Sequence, residues 1–294
     1  MEKIKITADS TCDLPVELLK EFDITVCPLC ILMGDKEVRD HDKIADEIYQ
    51  YFRETKKTPK TSAISSMEYK EFFEANLPAG GSLIHFNISG GLSCTHRNAV
   101  EASKELSNVY VIDSRSLSTG TAISMLRAVK YRNEGMSAQQ IVERVNAEIN
   151  KVQCSFIVDD LTYLHRGGRC SATTKFFASI LRIKPQILMK DGKMESGKKF
   201  RGNFNFCVKQ YVDTVLDATP EPDLSVLFIT HTEKAFVNFS SHSFGQISLF
   251  SCACKRIVSL TNFCIIEYWA VPYFLLIHSV KDNPFSCTSG TYSG

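Results

Sequence analysis

Residues 82–106 read SLIHFNISGGLSCTHRNAVEASKEL, and this stretch decides the fold class. The run at 82–88 is apolar and predicts a buried strand. The sequence Ser89-Gly90-Gly91-Leu92-Ser93 predicts a tight loop, because glycine and serine are common turn residues. Residues 94–106 then resume a helical pattern. A buried strand that leads through a short loop into a helix is the repeating unit of α/β proteins.

The same alternation continues on both sides of that stretch. Further strands are predicted over 3–8, 24–33 and 109–112, and further helices over 16–22, 66–75 and 118–133, with one more helix capped by Ser137. The sequence therefore predicts an α/β fold whose first sheet is mostly parallel and flanked by helices.

The alternation loosens after about residue 153. Strands are predicted over 183–189 and 224–230, with a hairpin turn at Asp191-Gly192 and a helix over 204–216. We therefore expect two α/β domains, an N-terminal one over residues 1–153 and a C-terminal one over 154–294.

The last 60 residues differ in composition from the rest of the chain. From residue 235 onward the charged residues are Lys255, Arg256, Glu267, Lys281 and Asp282, while four cysteines and seven phenylalanines fall in the same span. Two explanations stay open for 235–294: a divergent sheet, or a stretch that was not selected for this fold, as a shifted reading frame would produce.

Composition and charge exclude several classes of protein. The 34 basic and 33 acidic residues leave a net charge of +1, which gives no reason to expect nucleic acid as a partner. No secretory signal is visible, and no run reaches the roughly 20 apolar residues of a membrane-spanning helix. Eleven cysteines, an odd number without framework spacing, indicate a reducing cytoplasm rather than a disulfide scaffold.

Four loops that follow strand signals are rich in small hydroxyl residues. They are Asp9-Ser10-Thr11, Thr61-Ser62, the loop around 89–95, and Asp113-Ser114. Open α/β sheets bind ligands at such loops. The loop 89–93 is the strongest candidate, because its glycines allow close approach of a ligand and the following helix N-terminus favours an anion. A carboxylate or a phosphate suits this loop, with Ser93 as a donor. A plain strand-to-helix turn capped by Ser93 is the alternative.

The motifs that would indicate other functions are weaker than the loop 89–93. Ser93 lacks the second glycine of a nucleophile elbow, although His231 and His278 lie downstream, so a serine hydrolase of lipid esters is an alternative. A small-anion-binding module that uses the same loop is another. Cys27-Pro28-Leu29-Cys30 lies in a strand pattern and is read as structural, so no metal site is expected. No nucleotide-binding motif is present, so no cofactor is expected.

The ordered set of motifs resembles the DegV family of bacterial lipid-binding proteins. The resemblance covers about residues 3–232 and rests on the following segments: Asp9-Ser10-Thr11-Cys12-Asp13-Leu14-Pro15, Pro28-Leu29, Lys60-Thr61-Ser62 with Ser65, 88–95, Val111-Ile112-Asp113-Ser114, 163–171, Ile183-Lys184-Pro185, and Asp191-Gly192 with Arg201. Each segment alone is weak evidence for the family, whereas the order and spacing of the whole set are specific to it.

The resemblance implies a non-catalytic carrier that buries a long-chain fatty acid, of the palmitate, stearate or oleate type, between two α/β domains. It implies that Thr61, Ser62 and Ser93 bind the carboxylate. The candidates for further contacts to the head group or to a partner are Gly91, Arg169, Arg201 and His278. Some members present the bound acid to a fatty-acid kinase, which forms an acyl phosphate, so a kinase subunit is an expected partner.

Three positions depart from the family pattern. Cys94 stands where the family usually has glycine, which crowds the backbone beside Ser93. Ala63 follows Thr61-Ser62 where glutamine is common. Ile277-His278-Ser279 only weakly resembles the family's glycine-rich histidine segment. The C-terminal part of the site therefore departs furthest from the family pattern.

Overall fold

A computed structural model describes residues 2–41, 44–158, 183–218, 227–231, 249–253 and 274–280. The strands are β1 (Ile4–Asp9), β2 (Ile24–Cys27), β3 (Cys30–Met33), β4 (Lys36–Arg39), β5 (Lys60–Ser62), β6 (Ser82–Asn87), β7 (Val109–Asp113), β8 (Val152–Val158), β9 (Ile183–Lys190), β10 (Lys193–Arg201), β11 (Leu227–His231), β12 (Leu249–Ala253) and β13 (Phe274–Val280). The α-helices are α1 (Val16–Glu21), α2 (Ile44–Thr55), α3 (Ser66–Asn76), α4 (Thr95–Ser103), α5 (Thr119–Asn133), α6 (Ala138–Glu148) and α7 (Phe204–Asp217). The predicted α/β fold is confirmed.

The first sheet has the strand order β2-β1-β6-β7, and all its neighbours are parallel. Its two central strands, β1 and β6, are buried on both faces, as a parallel sheet covered by helices requires. On one face Ile6, Ile84 and Phe86 share a core cluster with residues of α5 and α6. On the other face Tyr69 and Phe73 of α3 pack with residues of α4. The prediction of a parallel sheet flanked by helices is therefore confirmed.

The second sheet has the order β10-β9-β8-β13-β11-β12 within the described residues. Its pairs are antiparallel apart from β11 with β12. β10 is the outermost strand on one side, and the pairing of β10 with β9 shifts register between Ser196 and Lys199. Phe228 of β11 is fully buried in the same cluster as the first sheet's core residues, so the two sheets share apolar contacts.

The predicted single strand over 24–33 is wrong. It is two strands in different sheets, because β2 pairs with β1 while β3 pairs with β4 and β5 in a small antiparallel sheet. Pro28 separates them, since proline has no amide hydrogen to donate to a neighbouring strand. The amide of Leu29 instead donates to Ser10 Oγ at 3.2 Å.

The helix ends follow from local chemistry. Ser137 caps α6 as predicted, and its hydroxyl accepts from the Gln140 amide in a capping box. Ser65 and Glu68 form the equivalent box on α3. Among the described residues, no helix combines the length and apolarity needed to cross a membrane.

Candidate functional site

The candidate site lies at the carboxyl edge of the parallel sheet. From β1 the chain first adds β2 on one side, and later adds β6 on the other side of β1. Such a reversal is a topological switch point, where the loops on the two sides diverge and leave a crevice for a ligand. The loop containing Ser10 follows β1 and the loop 89–93 follows β6. The fold therefore brings two of the four predicted loops to one crevice, with Asp113 and Ser114 at the end of the adjacent strand β7.

Asp9, the last residue of β1, is the centre of a buried polar network. Its side chain is fully buried. The carboxylate accepts hydrogen bonds from the Tyr69 hydroxyl, from Asn87 Nδ2 at 3.1 Å to each oxygen, and from the Ile88 amide at 3.2 Å. A carboxylate can be buried only with such donors. Because Ile88 directly precedes the loop 89–93, this network fixes where the loop begins.

Two aromatic groups complete the network. His85 Nε2 lies 3.3 Å from Asp9 Oδ1, and Thr7 Oγ1 lies 2.9 Å from His85 Nδ1. Desolvation, together with the nearby Asp9 carboxylate, raises the pKa of Tyr69 well above its usual value. The phenol therefore stays protonated and donates to Asp9. Asp9 and His85 are both inaccessible to solvent, and their hydrogen bonds hold the sheet edge in place.

The loop 89–93 is held by hydrogen bonds from its own amides. The Ser89 amide donates to Ser116 O at 2.9 Å, and the Gly90 amide donates to Asp113 Oδ1 at 3.1 Å. The amides of Leu92 and Ser93 both donate to Ser89 O, at 2.9 and 3.2 Å. These amides are therefore engaged within the protein, which leaves the hydroxyl of Ser93 as the candidate ligand donor of this loop.

Ser93 precedes α4 and pairs with Thr95. The two hydroxyl oxygens are 2.6 Å apart, and the Thr95 amide also donates to Ser93 Oγ at 3.2 Å. Thr95 is fully buried, whereas Ser93 is half-buried. When Thr95 donates its hydroxyl hydrogen to Ser93, the hydroxyl hydrogen of Ser93 is left for a group outside. The pair can therefore offer one neutral donor to an anion without bringing a positive charge.

Thr61 and Ser62 lie in a strand and not in a loop, which corrects the sequence prediction. They are the last residues of β5, where Thr61 is paired with Ile31 and Ser62 with Cys30. Thr61 Oγ1 is buried, and within the described residues it has no hydrogen-bond partner. Ser62 is exposed, and its hydroxyl lies 3.5 Å from Ala63 O.

A hydrogen bond connects this segment to the helix that follows Ser93. Asn98 Nδ2, in the first turn of α4, donates to Ile64 O at 2.7 Å. The structure therefore brings Ile64, two residues after the end of β5, beside the first turn of α4, the helix that Ser93 precedes.

The remaining predicted residues are spread more widely. Gly91 meets the tip of the β9–β10 hairpin at Gly192. Arg201 is exposed at the other end of β10, about 30 Å along the strand from that tip at roughly 3.3 Å per residue. His278 occupies β13, opposite Cys154 and Phe228 in register. Arg169 lies outside the described residues.

Ser118 is a candidate that the sequence pattern gave no signal for. It precedes α5, and its backbone has φ of 51° and ψ of −138°. Residues other than glycine rarely adopt this conformation. It is fully buried, and its hydroxyl has no partner within the described residues. Strained backbone of this kind concentrates at ligand sites, so we add Ser118 to the candidate set.

The contacts of Ser93 and of the described histidines concern the hydrolase alternative, and groupings of His, Cys, Asp and Glu concern metal binding. Ser93 Oγ contacts Thr95 there, while His85 contacts Asp9 and His96 Nδ1 lies 3.3 Å from Asn87 Oδ1. Burial lowers the pKa of His96, which keeps it from placing a cation beside the loop. Across the ranges described above, no group of three His, Cys, Asp or Glu side chains is arranged to hold a metal ion.

Among Cys12, Cys27, Cys30, Cys94, Cys154 and Cys207, Cys94 should be the first to react with iodoacetamide. It is exposed beside Ser93, whereas the other five are buried. Desolvation raises the pKa of Cys12, Cys30 and Cys154 to about 12, so few thiolates form there near neutral pH. Peptide mass spectrometry after timed alkylation measures the order of labelling. Equally fast labelling of Cys30 would contradict the structure at this edge.

Comparison with known proteins places the chain in a family. A family model described as "Uncharacterised protein, DegV family" matches residues 3–239. A DegV domain-containing protein of Caldanaerobacter subterraneus is 35% identical over 205 residues, which cover 69% of this chain and 73% of the relative. One from Clostridium acetobutylicum is 32% identical over 228 residues, which cover 76% of this chain and 80% of the relative.

Solved structures show the same fold. A stearic acid-binding protein from Eubacterium ventriosum is 26% identical, with a TM-score of 0.74 over 95% of this chain and 98% of that one. A DegV family protein from Thermus thermophilus, described by its fatty acid binding, has 22% identity and a TM-score of 0.77 over 96% of this chain and 100% of its own. From the family match over residues 3–239 and from these relatives, the chain belongs to the DegV family.

Proposed function

We propose that this protein binds one long-chain fatty acid, of the palmitate, stearate or oleate type, and carries it without chemical change. The carboxylate is held by Thr61, Ser62 and Ser93 at the crevice of the first sheet. The acyl chain is buried between two α/β domains, residues 1–153 and 154–294. The stearic acid-binding relative from Eubacterium ventriosum supports this choice of ligand.

The observation that carries the proposal is the buried hydroxyl of Thr61. Leaving a buried polar group without a partner costs about 1–3 kcal/mol, so such groups are usually satisfied by protein, water or ligand. Within the described residues Thr61 Oγ1 has no partner, and Ile64, three residues later, contacts the helix before which Ser93 keeps a donor hydrogen. Two neutral hydroxyl donors at this edge of the first sheet would suit a carboxylate oxygen.

The acyl chain supplies most of the binding free energy in this proposal. Burying a methylene group contributes about 0.8 kcal/mol, so a long chain contributes far more than two hydrogen bonds. The hydroxyl groups then select an acid over an alcohol or an ester and fix the position of the head group. Ser118, buried and strained at the start of α5, is a candidate for a further contact inside the site.

We further propose that the bound acid is presented to a fatty-acid kinase in the cytoplasm. Arg201 and Arg169 are the candidate contacts to the head group or to the kinase, and His278 is a third. Cys12, Cys27, Cys30, Cys94, Cys154 and Cys207 are free thiols, which fits a reducing compartment. In this arrangement the carrier supplies the substrate and the kinase supplies the chemistry.

Extraction of the purified protein tests the proposal directly. Mass spectrometry of the organic extract, with native mass spectrometry of the intact protein, should find one acid of about 16–18 carbons per chain, a length whose burial gives ample affinity. A protein that is folded by circular dichroism, carries no lipid and takes up no added palmitate would refute the proposal.

A serine-directed probe separates the carrier from the hydrolase alternative. A carrier should remain unlabelled by a fluorophosphonate, because the side chain that Ser93 Oγ contacts in the described residues is Thr95, a hydroxyl and not a base. Labelling of Ser93, abolished by Ser93→Ala, would favour the hydrolase of lipid esters. Binding of inorganic phosphate with no affinity for palmitate would favour the small-anion-binding module.

A further inference from the structure

The loop 89–93 of the first sheet touches the β9–β10 hairpin of the second sheet. Ser89 Oγ donates to Gly192 O at 2.7 Å, although the two residues are 103 positions apart in sequence. The contact leaves no space for side chains. A Cβ on Gly91 would lie 2.4 Å from Gly192 O, and a Cβ on Gly192 would lie 2.6 Å from Ser89 Oγ. Gly91 is therefore required by the close approach of the Gly192 backbone, and Gly192 by its φ of +75° and by the Ser89 hydroxyl.

The Ser89 hydroxyl joins the two partners in a fixed direction. A carbonyl oxygen can only accept, so the hydroxyl hydrogen of Ser89 is committed to Gly192. The oxygen of the same hydroxyl accepts the Gly91 amide at 3.2 Å. Ser89 O also accepts the amides of Leu92 and Ser93. Through these hydrogen bonds, Ser89 connects the hairpin to the loop that carries Ser93.

We propose that the hairpin tip at Gly192 is the positioning element for the head-group loop, acting through Ser89 and Gly91. This inference rests on the proposed function. The second sheet holds the Ser93 hydroxyl at the place where it meets the carboxylate, and the binding of an acid depends on this contact. Binding of the acyl chain alone does not depend on it.

Gly91→Ala is the sharpest variant. Gly91 lies outside the left-handed region of the backbone, so alanine introduces only the clash with Gly192. Ser89→Ala breaks the same contact and adds no atoms. Gly192→Ala also places an alanine at φ of +75°, and Gly80→Ala is its matched control because Gly80 has φ of +68° with no atom within 4 Å of a Cβ.

The readout is the affinity for palmitate compared with that for hexadecanol, which has the same chain and no carboxylate. We expect Gly91→Ala and Ser89→Ala to weaken palmitate binding at least about tenfold, as loss of a hydrogen bond to a charged group does, and to change hexadecanol binding by less than about twofold. Gly80→Ala should leave both affinities at the wild-type values.

The outcomes separate this inference from the proposed function. Equal weakening of both ligands would mean that the contact is merely structural, and unchanged affinities would mean that the hairpin does not position the loop; either result overturns the inference while the carrier function stands. If the wild-type protein binds neither ligand, the proposed function fails and the inference fails with it.

Discussion

Asp9→Asn is expected to lower the free energy of unfolding by about 3–5 kcal/mol, because it breaks a fully buried hydrogen-bond network. The carboxylate of Asp9 accepts from Tyr69, Asn87 and Ile88, and His85 Nε2 lies 3.3 Å away. An asparagine retains one acceptor oxygen and turns the other position into a donor. That new donor would face groups that are themselves donors, and none of them can reach water.

Urea unfolding followed by circular dichroism measures this effect. Asp23→Asn is the matched control, since Asp23 pairs with Lys5 at the surface and its side chain is 72% exposed. Such surface pairs contribute about 0–1 kcal/mol. Asparagine also tolerates the positive φ of 51° at position 23. A loss at Asp9 no larger than the loss at Asp23 would show that the network does not stabilise the sheet edge.

The double variant Thr61→Val, Ser93→Ala is expected to weaken palmitate binding by two orders of magnitude or more. Each lost hydrogen bond to a charged group is worth about 1.5–3 kcal/mol, so the pair amounts to roughly 3–6 kcal/mol. The single variant Thr61→Val should not lower the stability of the lipid-free protein. Thr61 Oγ1 is buried without a partner in the described residues, so valine removes an unsatisfied group and keeps the shape of the side chain.

Binding and stability should therefore move in different directions for Thr61→Val. Isothermal titration with palmitate gives the affinity, and urea unfolding without lipid gives the stability. Thr25→Val, a half-buried threonine on β2, is the matched control and should leave palmitate affinity unchanged. If Thr61→Val destabilises the lipid-free protein and binds palmitate normally, its hydroxyl has a partner in the protein and is not a ligand donor.

The local pattern of the sequence was enough to predict the elements of the first sheet. The alternation of apolar strands and helices carries the information for a covered parallel sheet, and the switch-point rule then points to the loop 89–93. The pattern failed at 24–33, because an apolar run gives no sign of which sheet it joins. The change of sheet is marked only by Pro28, which has no amide hydrogen to donate.

The contacts that shape the site are not local, which is why they escaped prediction. Ser89 and Gly192 are 103 residues apart, and Asp9 and Asn87 are 78 apart. Periodicity reports on neighbours within one element and contains no information about such pairs. The strained backbone of Ser118 had no sequence signal either, because serine is common before a helix in the ordinary extended conformation.

The charge on β10 bears on how this protein behaves at high concentration. As the outermost strand of the described second sheet, it would offer its free backbone groups to a second chain. Lys193, Lys198, Lys199 and Arg201 project exposed cationic side chains along it, and the register shift after Ser196 bends its ladder. Like charges and an irregular ladder oppose intermolecular strand pairing. Replacing these lysines with apolar residues would therefore turn the free border of the sheet into a template for aggregation.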